Sequence, residues 1–266
     1  MIDPDLTRLT RIFVAMTGVI TGLSIATPAA IAQEPASANA GEAEEADVND
    51  PFEPMNRFFF SFNLAMDKVI LRPAAIAYRA VLPVPVREST SNFLDNLESP
   101  VIFLNDLLQA KPARAGNTLA RFGINTVIGF FGFFDPAESM GMERHDEDFA
   151  QTLGAWGVSS GPYLMLPFLG PLPPRDMVGF AGDFFTDPMT YLLWDHRTTN
   201  LVYYGVDVVD QRHQVIDEFD ELEKSSVDYY AAIRSLYRQS MDDRIRDGKT
   251  DLENLPVFDD EDSGAP

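Results

Sequence analysis

The sequence predicts a mainly α fold, and three observations carry that expectation. Apolar residues recur at helical spacing through most of the chain, as at Met55, Phe59, Phe62, Met66 and Val69. No stretch alternates apolar and polar residues for long enough to support a sheet. Prolines stand where helices begin or bend, as at Pro51, Pro73, Pro112 and Pro188. The chain has 266 residues, 45% of them hydrophobic, which suffices for one sizeable core or two small ones. It contains no internal repeat.

Residues 1–32 read as a cleaved secretory signal. Arg8 and Arg11 precede a mostly apolar run from Ile12 to Ala26, and Ala30-Ile31-Ala32 supplies an A-x-A site with cleavage after Ala32. The run is short and interrupted by Gly18 and Gly22, which argues against a membrane anchor. Residues 33–48 form an acidic linker and residues 247–266 an acidic tail. Gln33 to Asp50 carries six acids and no base, and Asp247 to Pro266 carries seven acids against Lys249. Both lack aromatic periodicity and are expected to be disordered. Acidic segments repel nucleic acid and anionic head groups, so no nucleic-acid partner is expected.

The folded region spans residues 49–246. Asp50, Pro51 and Glu53 have the spacing of a capping box, and the apolar set from Met55 to Val69 follows. Phe58 and Phe60 add apolar surface on other faces, so this helix is expected to be buried on most sides. Arg72-Pro73 ends or kinks it. Ser89 to Gln109 is helical, with Phe93, Leu97, Val101, Leu104 and Leu108 on one face and a kink at Pro100. Pro112 opens the next helix, which runs into Phe122 to Phe134, FGINTVIGFFGFF. These thirteen residues hold five phenylalanines and no charge, and end at Asp135-Pro136. They are too short to span a bilayer, which takes about 20 residues; a buried core helix and an interfacial helix both fit their length. Glu138 to Asp148 is polar. A second apolar helix runs from Asp176 to about Phe185, and Asp187-Pro188 restarts one through Trp194. From Asn200 to Arg246 an amphipathic helix pair puts Val206, Val209, Val215, Ile216 and Phe219 inside and its acids outside. Tyr229, Tyr230, Ile233, Leu236 and Tyr237 line the last helix.

Chemistry is sparse. The chain has no cysteine, which excludes disulfides, thiolate metal sites and cysteine nucleophiles. Gly157, Ser159 and Gly161 fit G-x-S-x-G, but an elbow needs a strand before the serine and a helix after it. Leu153 to Trp156 makes a poor strand, and Gly161-Pro162 disfavours a helix. The triad histidine would be His196 or His213, and His213 sits on a charged helix where solvation is expected. A serine esterase using Ser159 therefore stands only as an alternative, and no catalytic residue is expected. His145 to Asp148 matches no calcium loop and reads as a solvated polar turn. No glycine loop cradles a phosphate, so neither a metal nor another cofactor is expected.

What remains is physical. Gly157 to Asp176 carries no charge before Arg175 yet holds five prolines and three glycines, which suits neither a continuous helix nor a surface loop. Phe-rich segments too short to span, with helices broken by Gly and Pro, suit a lipid-handling protein. A soluble periplasmic helical scaffold with a phenylalanine core suits the same composition.

Particular residues carry a resemblance. Asn49-Asp50-Pro51-Phe52-Glu53-x-Met55-Asn56-Arg57 and Ser61-Phe62-Asn63 are followed by Leu71-Arg72-Pro73 and by Ser91-Asn92-Phe93-Leu94-x-Asn96-Leu97-Glu98-x-Pro100. Arg121-Phe122-x-x-Asn125-Thr126-x-x-Gly129, Asp135-Pro136-Ala137 and Phe149-x-Gln151-Thr152-Leu153-Gly154-x-Trp156-Gly157-Val158 come next. Gly161-Pro162-Tyr163-x-x-Leu166-Pro167, Arg175-Asp176 and Ser225-Ser226-x-Asp228-Tyr229 complete the set. In this order and spacing they resemble the MlaA/VacJ family over residues 49–246. The resemblance implies a ring-like bundle of amphipathic and broken helices in the inner leaflet of the outer membrane, on its periplasmic side. It implies an amphipathic channel that removes mislocalised phospholipid from the outer leaflet and so maintains lipid asymmetry. The lipid would pass to a periplasmic lipid-carrier protein and on to an inner-membrane ABC transporter, and a trimeric porin is a further implied partner. Members commonly carry an acylated cysteine. Here there is none, so attachment is expected to rest on Phe122, Ile124, Val127, Ile128, Phe130, Phe131, Phe133 and Phe134. Gly157 to Pro174 is expected to shape the ring, and Glu138 to Asp148 to act as a mobile gate.

Overall fold

A computed structural model describes residues 49–248. The signal segment with its cleavage site at Ala32, the acidic linker 33–48 and residues 249–266 of the acidic tail lie outside the described residues. The described chain is helical, as the periodicity predicts, with one two-residue hairpin. Its helices are α1 Glu53–Met66, α2 Arg72–Val81, α3 Val84–Leu108, α4 Pro112–Val127, α5 Pro136–Ser139, α6 Phe149–Ala155, α7 Pro174–Thr186, α8 Pro188–Leu192, α9 Arg197–Gln214, α10 Ile216–Ser225 and α11 Tyr229–Ile245. The hairpin pairs β1 Met165–Leu166 with β2 Gly170–Pro171 in antiparallel register.

The α1–α2 junction shows how sequence sets local geometry. Residues Asp67–Leu71 form a π-turn rather than a break. Pro73 has no N–H to return to the preceding turn, and its ring crowds that turn, so the helix widens there and bends. Ion pairs fix the bend: Arg212 grips Asp67 at 2.8 Å, Arg72 meets Asp220 at 2.5 Å and Lys68 meets Glu223 at 2.5 Å. Pro100 likewise sits inside α3, which continues past it.

The elements pack in a closed circuit. α1 continues through the π-turn into α2, α2 packs on α9, α9 on α3, α3 on α6, and α6 on α11. α11 returns to α1 through Phe60, whose ring meets Tyr229 and Tyr230 edge-on at 5.4 and 5.6 Å. α4 lies along α3, and α7 lies along α6. Gly179 permits the close α6–α7 approach, because a Cβ there would stand 2.5 Å from the Ala150 backbone.

The apolar core is small and aromatic: Tyr163, Met165, Tyr230, Tyr237 and Met241, backed by Phe59, Phe60 and Ile245. Outside this cluster, where Leu94, Ile102, Val208 and Ile216 are among the buried apolar side chains, three helices largely invert the usual partition. α1 buries Asn56 and Asn63 while Met55 and Phe58 are exposed. α4 buries Thr118, Arg121 and Asn125 while Leu119 and Val127 face out. α9 buries Asp210, Gln211, Arg212 and His213 while Leu201 and Val202 face out. In water the apolar stripe of a helix turns inward. A polar stripe turned inward under an apolar exterior is the pattern of helices that lie in lipid.

Several expectations are corrected here. The first helix is not buried on most sides. Asp50 does not cap it; its carboxylate accepts from Asn56 at 2.7 Å, from Tyr230 at 2.5 Å and from Arg234 at 2.6 Å. The inward face of α3 is Leu94, Asn96, Ile102, Asn105 and Asp106, not the apolar face from Phe93 to Leu108. The acids of α9 do not all face out, since Asp210 is buried. The C-terminal pair is three helices, α9 to α11. Residues 122–134 are not one helix, because α4 stops at Val127.

Candidate functional site

The chain past α4 is a shelf of exposed phenylalanines. From Ile128 the backbone folds back: the Phe131 N–H donates to the Thr126 carbonyl, that of Gly132 to Asn125 and that of Phe134 to Gly129, each at 2.9 Å. Phe130 and Phe131 both adopt left-handed backbone, at φ 53° and 60°. That is a conformation bulky residues avoid. Gly132, at φ 95°, lies so close to Asn96 that a Cβ would stand 2.5 Å from the Asn96 Cβ. Beneath the shelf Asp135 caps α5 through the Glu138 N–H and holds Asn125 at 3.0 Å and Arg121 at 2.5 Å. These buried polar groups fix the turn and leave its rings outside. Val127 is 81% exposed, and Ile128, Phe130, Phe131 and Phe134 lie between 61% and 64%. Of the eight residues expected to enter a membrane, Phe133 is stacked on Phe93 at 4.8 Å and is 37% exposed. Phe122 and Ile124 are half-buried on α4. The core-helix alternative for 122–134 fails on this exposure.

The motif asparagines have a clear structural task. Asn56 donates to the Tyr163 carbonyl and accepts the Met165 N–H, both at 2.9 Å. Asn63, two turns along, donates to the Leu166 carbonyl and accepts the Phe168 N–H, both at 2.8 Å. Each side-chain amide thus stands in for a β-strand partner and clamps the segment from Tyr163 to Phe168 onto α1. Phe62 backs it, edge-on to Phe168 at 5.0 Å, and Pro167 lies within the second clamp, between Leu166 and Phe168. Asn49 donates to the Gly161 carbonyl at 3.2 Å and, through its own carbonyl, accepts the Tyr163 N–H at 2.9 Å. Gly161 adopts φ 76°, which suits glycine at the tight turn into Pro162. Arg57 makes a bidentate pair with Asp228, which holds that carboxyl at about 2. Arg175 pairs with Asp176 at 2.7 Å, and Tyr237 donates to the same carboxylate. Pro51 precedes α1 in an exposed turn.

Behind the clamped segment, α3, α7, α8, α9 and α11 surround a cavity of about 220 Å³. Its wall mixes apolar residues (Val101, Ile102, Leu172, Phe180) with carboxylates (Glu98, Asp183, Asp187, Asp207). Burial raises all four carboxyl pKa values above their ordinary range, Asp183 and Asp207 to about 7. Sequence reasoning named Glu98, Val101 and Asp187 only as motif, helix-face and helix-start residues, and assigned none of these side chains to a cavity. The spacing of Tyr203, Asp207 and Gln211 on one face of α9 was the available signal.

Residues 140–148 close one side of the cavity with Asp146, Glu147 and Asp148. They are not the solvated turn the sequence suggested. His145 Nε2 lies 2.9 Å from Asp106, Glu147 is 3% exposed and pairs with Arg114 at 3.0 Å, and Arg144 pairs with Asp95. Among the described residues no His, Cys, Asp and Glu cluster could hold a metal ion. Ser159 is preceded by helix α6 and a turn and followed by irregular backbone that bends at Pro162, which is not an elbow; its Oγ accepts the Gly161 N–H at 3.4 Å. His213 is buried rather than solvated, with its ring against Tyr78 at 5.0 Å and Nδ1 on the Asp210 carbonyl. His196 heads α9 as its N-cap. Among the described residues no helix is long and apolar enough to cross a membrane. Asp247, assigned by sequence to the acidic tail, is tied to Lys111 and Arg114.

Comparison with known proteins agrees with this geometry. Residues 48–244 match the family described as MlaA lipoprotein. The intermembrane phospholipid transport system lipoprotein MlaA of Escherichia coli is 36% identical over 198 residues, covering 73% of this chain and 77% of that protein. Its counterpart in Haemophilus influenzae is 34% identical over 78% of this chain and 84% of its own length. An uncharacterized protein of Rickettsia felis is 33% identical over 75% of this chain and 79% of its own. A solved structure reported under "Structural basis for maintenance of bacterial outer membrane lipid asymmetry" superposes with a TM-score of 0.66 at 34% identity, covering 74% of this chain and 98% of that one.

Proposed function

Because the chain belongs to the MlaA lipoprotein family, we propose that it is the outer-membrane component of an intermembrane phospholipid transport system. It removes phospholipid from the outer leaflet and so maintains lipid asymmetry. The carrying observation is the inverted partition: apolar side chains outside, polar stripes inside, and an open carboxylate-lined cavity between them. The protein lies in the inner leaflet with the shelf from Val127 to Phe134 in the acyl region, and its helix circuit frames the lipid's path. The asparagine clamps hold the segment from Tyr163 to Phe168 as a fixed wall of that path.

Glu138 to Asp148 serve as the gate: Glu138 and Ser139 end α5, and residues 140–148 are its irregular part. They line the cavity and are held by polar ties (His145 to Asp106, Arg144 to Asp95, Glu147 to Arg114) rather than by helical packing. The lipid passes to a periplasmic lipid-carrier protein and from there to an inner-membrane ABC transporter, and a trimeric porin forms the protein's surround. No covalent step is required. A serine esterase finds no support in the surroundings of Ser159.

Membrane fractionation tests the placement. An inserted protein stays with membranes through a high-salt wash and leaves only with detergent. Release by salt alone would contradict insertion and favour a soluble periplasmic scaffold.

A further inference from the structure

The cavity lining is chemically one-sided, and this bears on which lipid it accepts. The cations nearest its acids are already engaged: Arg244 with Asp148 at 2.8 Å, and Arg144 with Asp95 and Asp146. Asp207 accepts from the Gln211 side chain at 2.8 Å, and Asp187 accepts from the Met189 N–H at 2.8 Å. Neither carboxylate is neutralised by a neutral donor. Two further polar atoms on the same wall have no hydrogen-bond partner: Thr190 Oγ1 and Gln211 Oε1, on side chains only 4% and 6% exposed. A buried polar atom left unsatisfied costs roughly 1–3 kcal/mol, so a group that supplies the missing bonds is favoured. Gln211 gives its Nε2 to Asp207, which leaves its oxygen as the free end. The rings of Tyr203 and Tyr204, 4.9 Å apart and inclined at 61°, line the same cavity.

Carboxylates, an amide oxygen, a hydroxyl and aromatic faces share one preference. They favour a cation that can donate several hydrogen bonds, and an ammonium carries three N–H donors. An anionic head group would meet like charge. The volume of about 220 Å³ lies below the range of about 300–1,000 Å³ typical of pockets that enclose a drug-sized ligand, so it suits a head group and not a whole lipid.

We propose that this cavity seats the ammonium of a zwitterionic phospholipid head group among Glu98, Asp207, Thr190 and Gln211, and discriminates against purely anionic phospholipids. The inference rests on the reading of the chain as a phospholipid conduit and names the lipid class that conduit prefers.

The test uses full-length protein incubated at pH 8 with vesicles of equal phosphatidylethanolamine and phosphatidylglycerol, with bound lipid quantified by mass spectrometry. Wild type is expected to hold the ethanolamine lipid in about tenfold excess, the effect of one charge-assisted contact of about 1.4 kcal/mol. The Glu98→Gln/Asp207→Asn double variant is expected to bring the ratio to within about twofold of the vesicle ratio. Thr190→Val, which removes the unpartnered hydroxyl at nearly constant shape, is expected to lower the excess on its own and stands in if the double variant does not fold. Free ethanolamine at the concentration of the lipid is expected to leave the excess intact; its erasure would assign the site to the free amine. Lipid bound at the vesicle ratio by wild type, or an excess retained by every variant, would overturn head-group selection while leaving lipid transport standing. Wild type that acquires no lipid at all would overturn the transport reading and this inference with it.

Discussion

Replacing Phe130 and Phe131 by glycine separates membrane attachment from folding. Both rings are nearly two-thirds exposed, at 64% and 63%. Fully burying a phenylalanine side chain is worth about 1.5–3 kcal/mol, so covering the exposed part of each with acyl chains contributes about 1–2 kcal/mol. The double replacement therefore removes about 2–4 kcal/mol of membrane affinity, roughly a 30- to 1,000-fold loss in partitioning. The effect on folding has a different sign of cost. Both residues sit in left-handed backbone, which costs a residue bearing a Cβ about 1–2 kcal/mol and glycine almost nothing. Glycine in turn gives the unfolded chain about 0.4–1 kcal/mol of extra freedom. The lost ring contacts are edge contacts on the surface, Phe130 with Phe131 at 5.6 Å and with Phe133 at 6.3 Å. Stability is thus expected to stay within about 1 kcal/mol of wild type. Buried phenylalanines would lose about 3–5 kcal/mol each on truncation. Vesicle flotation measures the first quantity and thermal unfolding in a fixed detergent the second. Unchanged flotation, or a stability loss above about 3 kcal/mol, would refute the assignment of this turn to the bilayer.

Other expectations concern the frame that holds the cavity. Asn56→Ala leaves the buried Tyr163 carbonyl and Met165 N–H unpaired and is expected to destabilise by about 2–6 kcal/mol, read as a lower melting temperature; a change below about 1 kcal/mol would mean that the clamp is dispensable. Gly132→Ala places a Cβ against Asn96 at φ 95° and is expected to cost about 1–3 kcal/mol in the same melting assay. The pH dependence follows from Asp183 and Asp207, both raised from 3.8 to about 7 in the folded protein. Between those values the folded state keeps protons that the unfolded state has lost, so stability falls as pH rises from about 4 to about 7. Melting in detergent should therefore be higher at pH 5 than at pH 8, and Asp207→Asn should flatten the difference; a higher melting temperature at pH 8 would contradict this. Ser159→Ala is expected to leave lipid acquisition unchanged, and a loss of it would reopen the esterase alternative.

The helices were legible because proline positions and apolar spacing are local signals. Pro112 and Asp187-Pro188 mark helix starts in the structure as they do in the chain. The inward faces were not legible by the usual rule. That rule assigns the apolar stripe to the core, which holds for a helix in water and inverts for one in lipid. Asn56 with Asn63, and Thr118 with Arg121 and Asn125, were the better guides to the interior, since each set falls on one helix face. The turn at Ile128 to Phe134 was hidden because two of its three left-handed residues, Phe130 and Phe131, are phenylalanines, and Gly132 alone carried the usual signal. The cavity carboxylates were hidden for another reason: they come from α3, α7, α8 and α9, and only the closed circuit brings them together. The motif residues marked the clamp, whose partners lie more than 100 residues away.

The central claim is that this chain moves phospholipid out of the outer leaflet of the outer membrane. The direct measurement is outer-leaflet phospholipid in cells deleted for the protein, with and without a restored wild-type copy. The account predicts phospholipid accumulation and detergent sensitivity on deletion, both reversed by the restored copy. An outer-leaflet composition that does not change on deletion would contradict it.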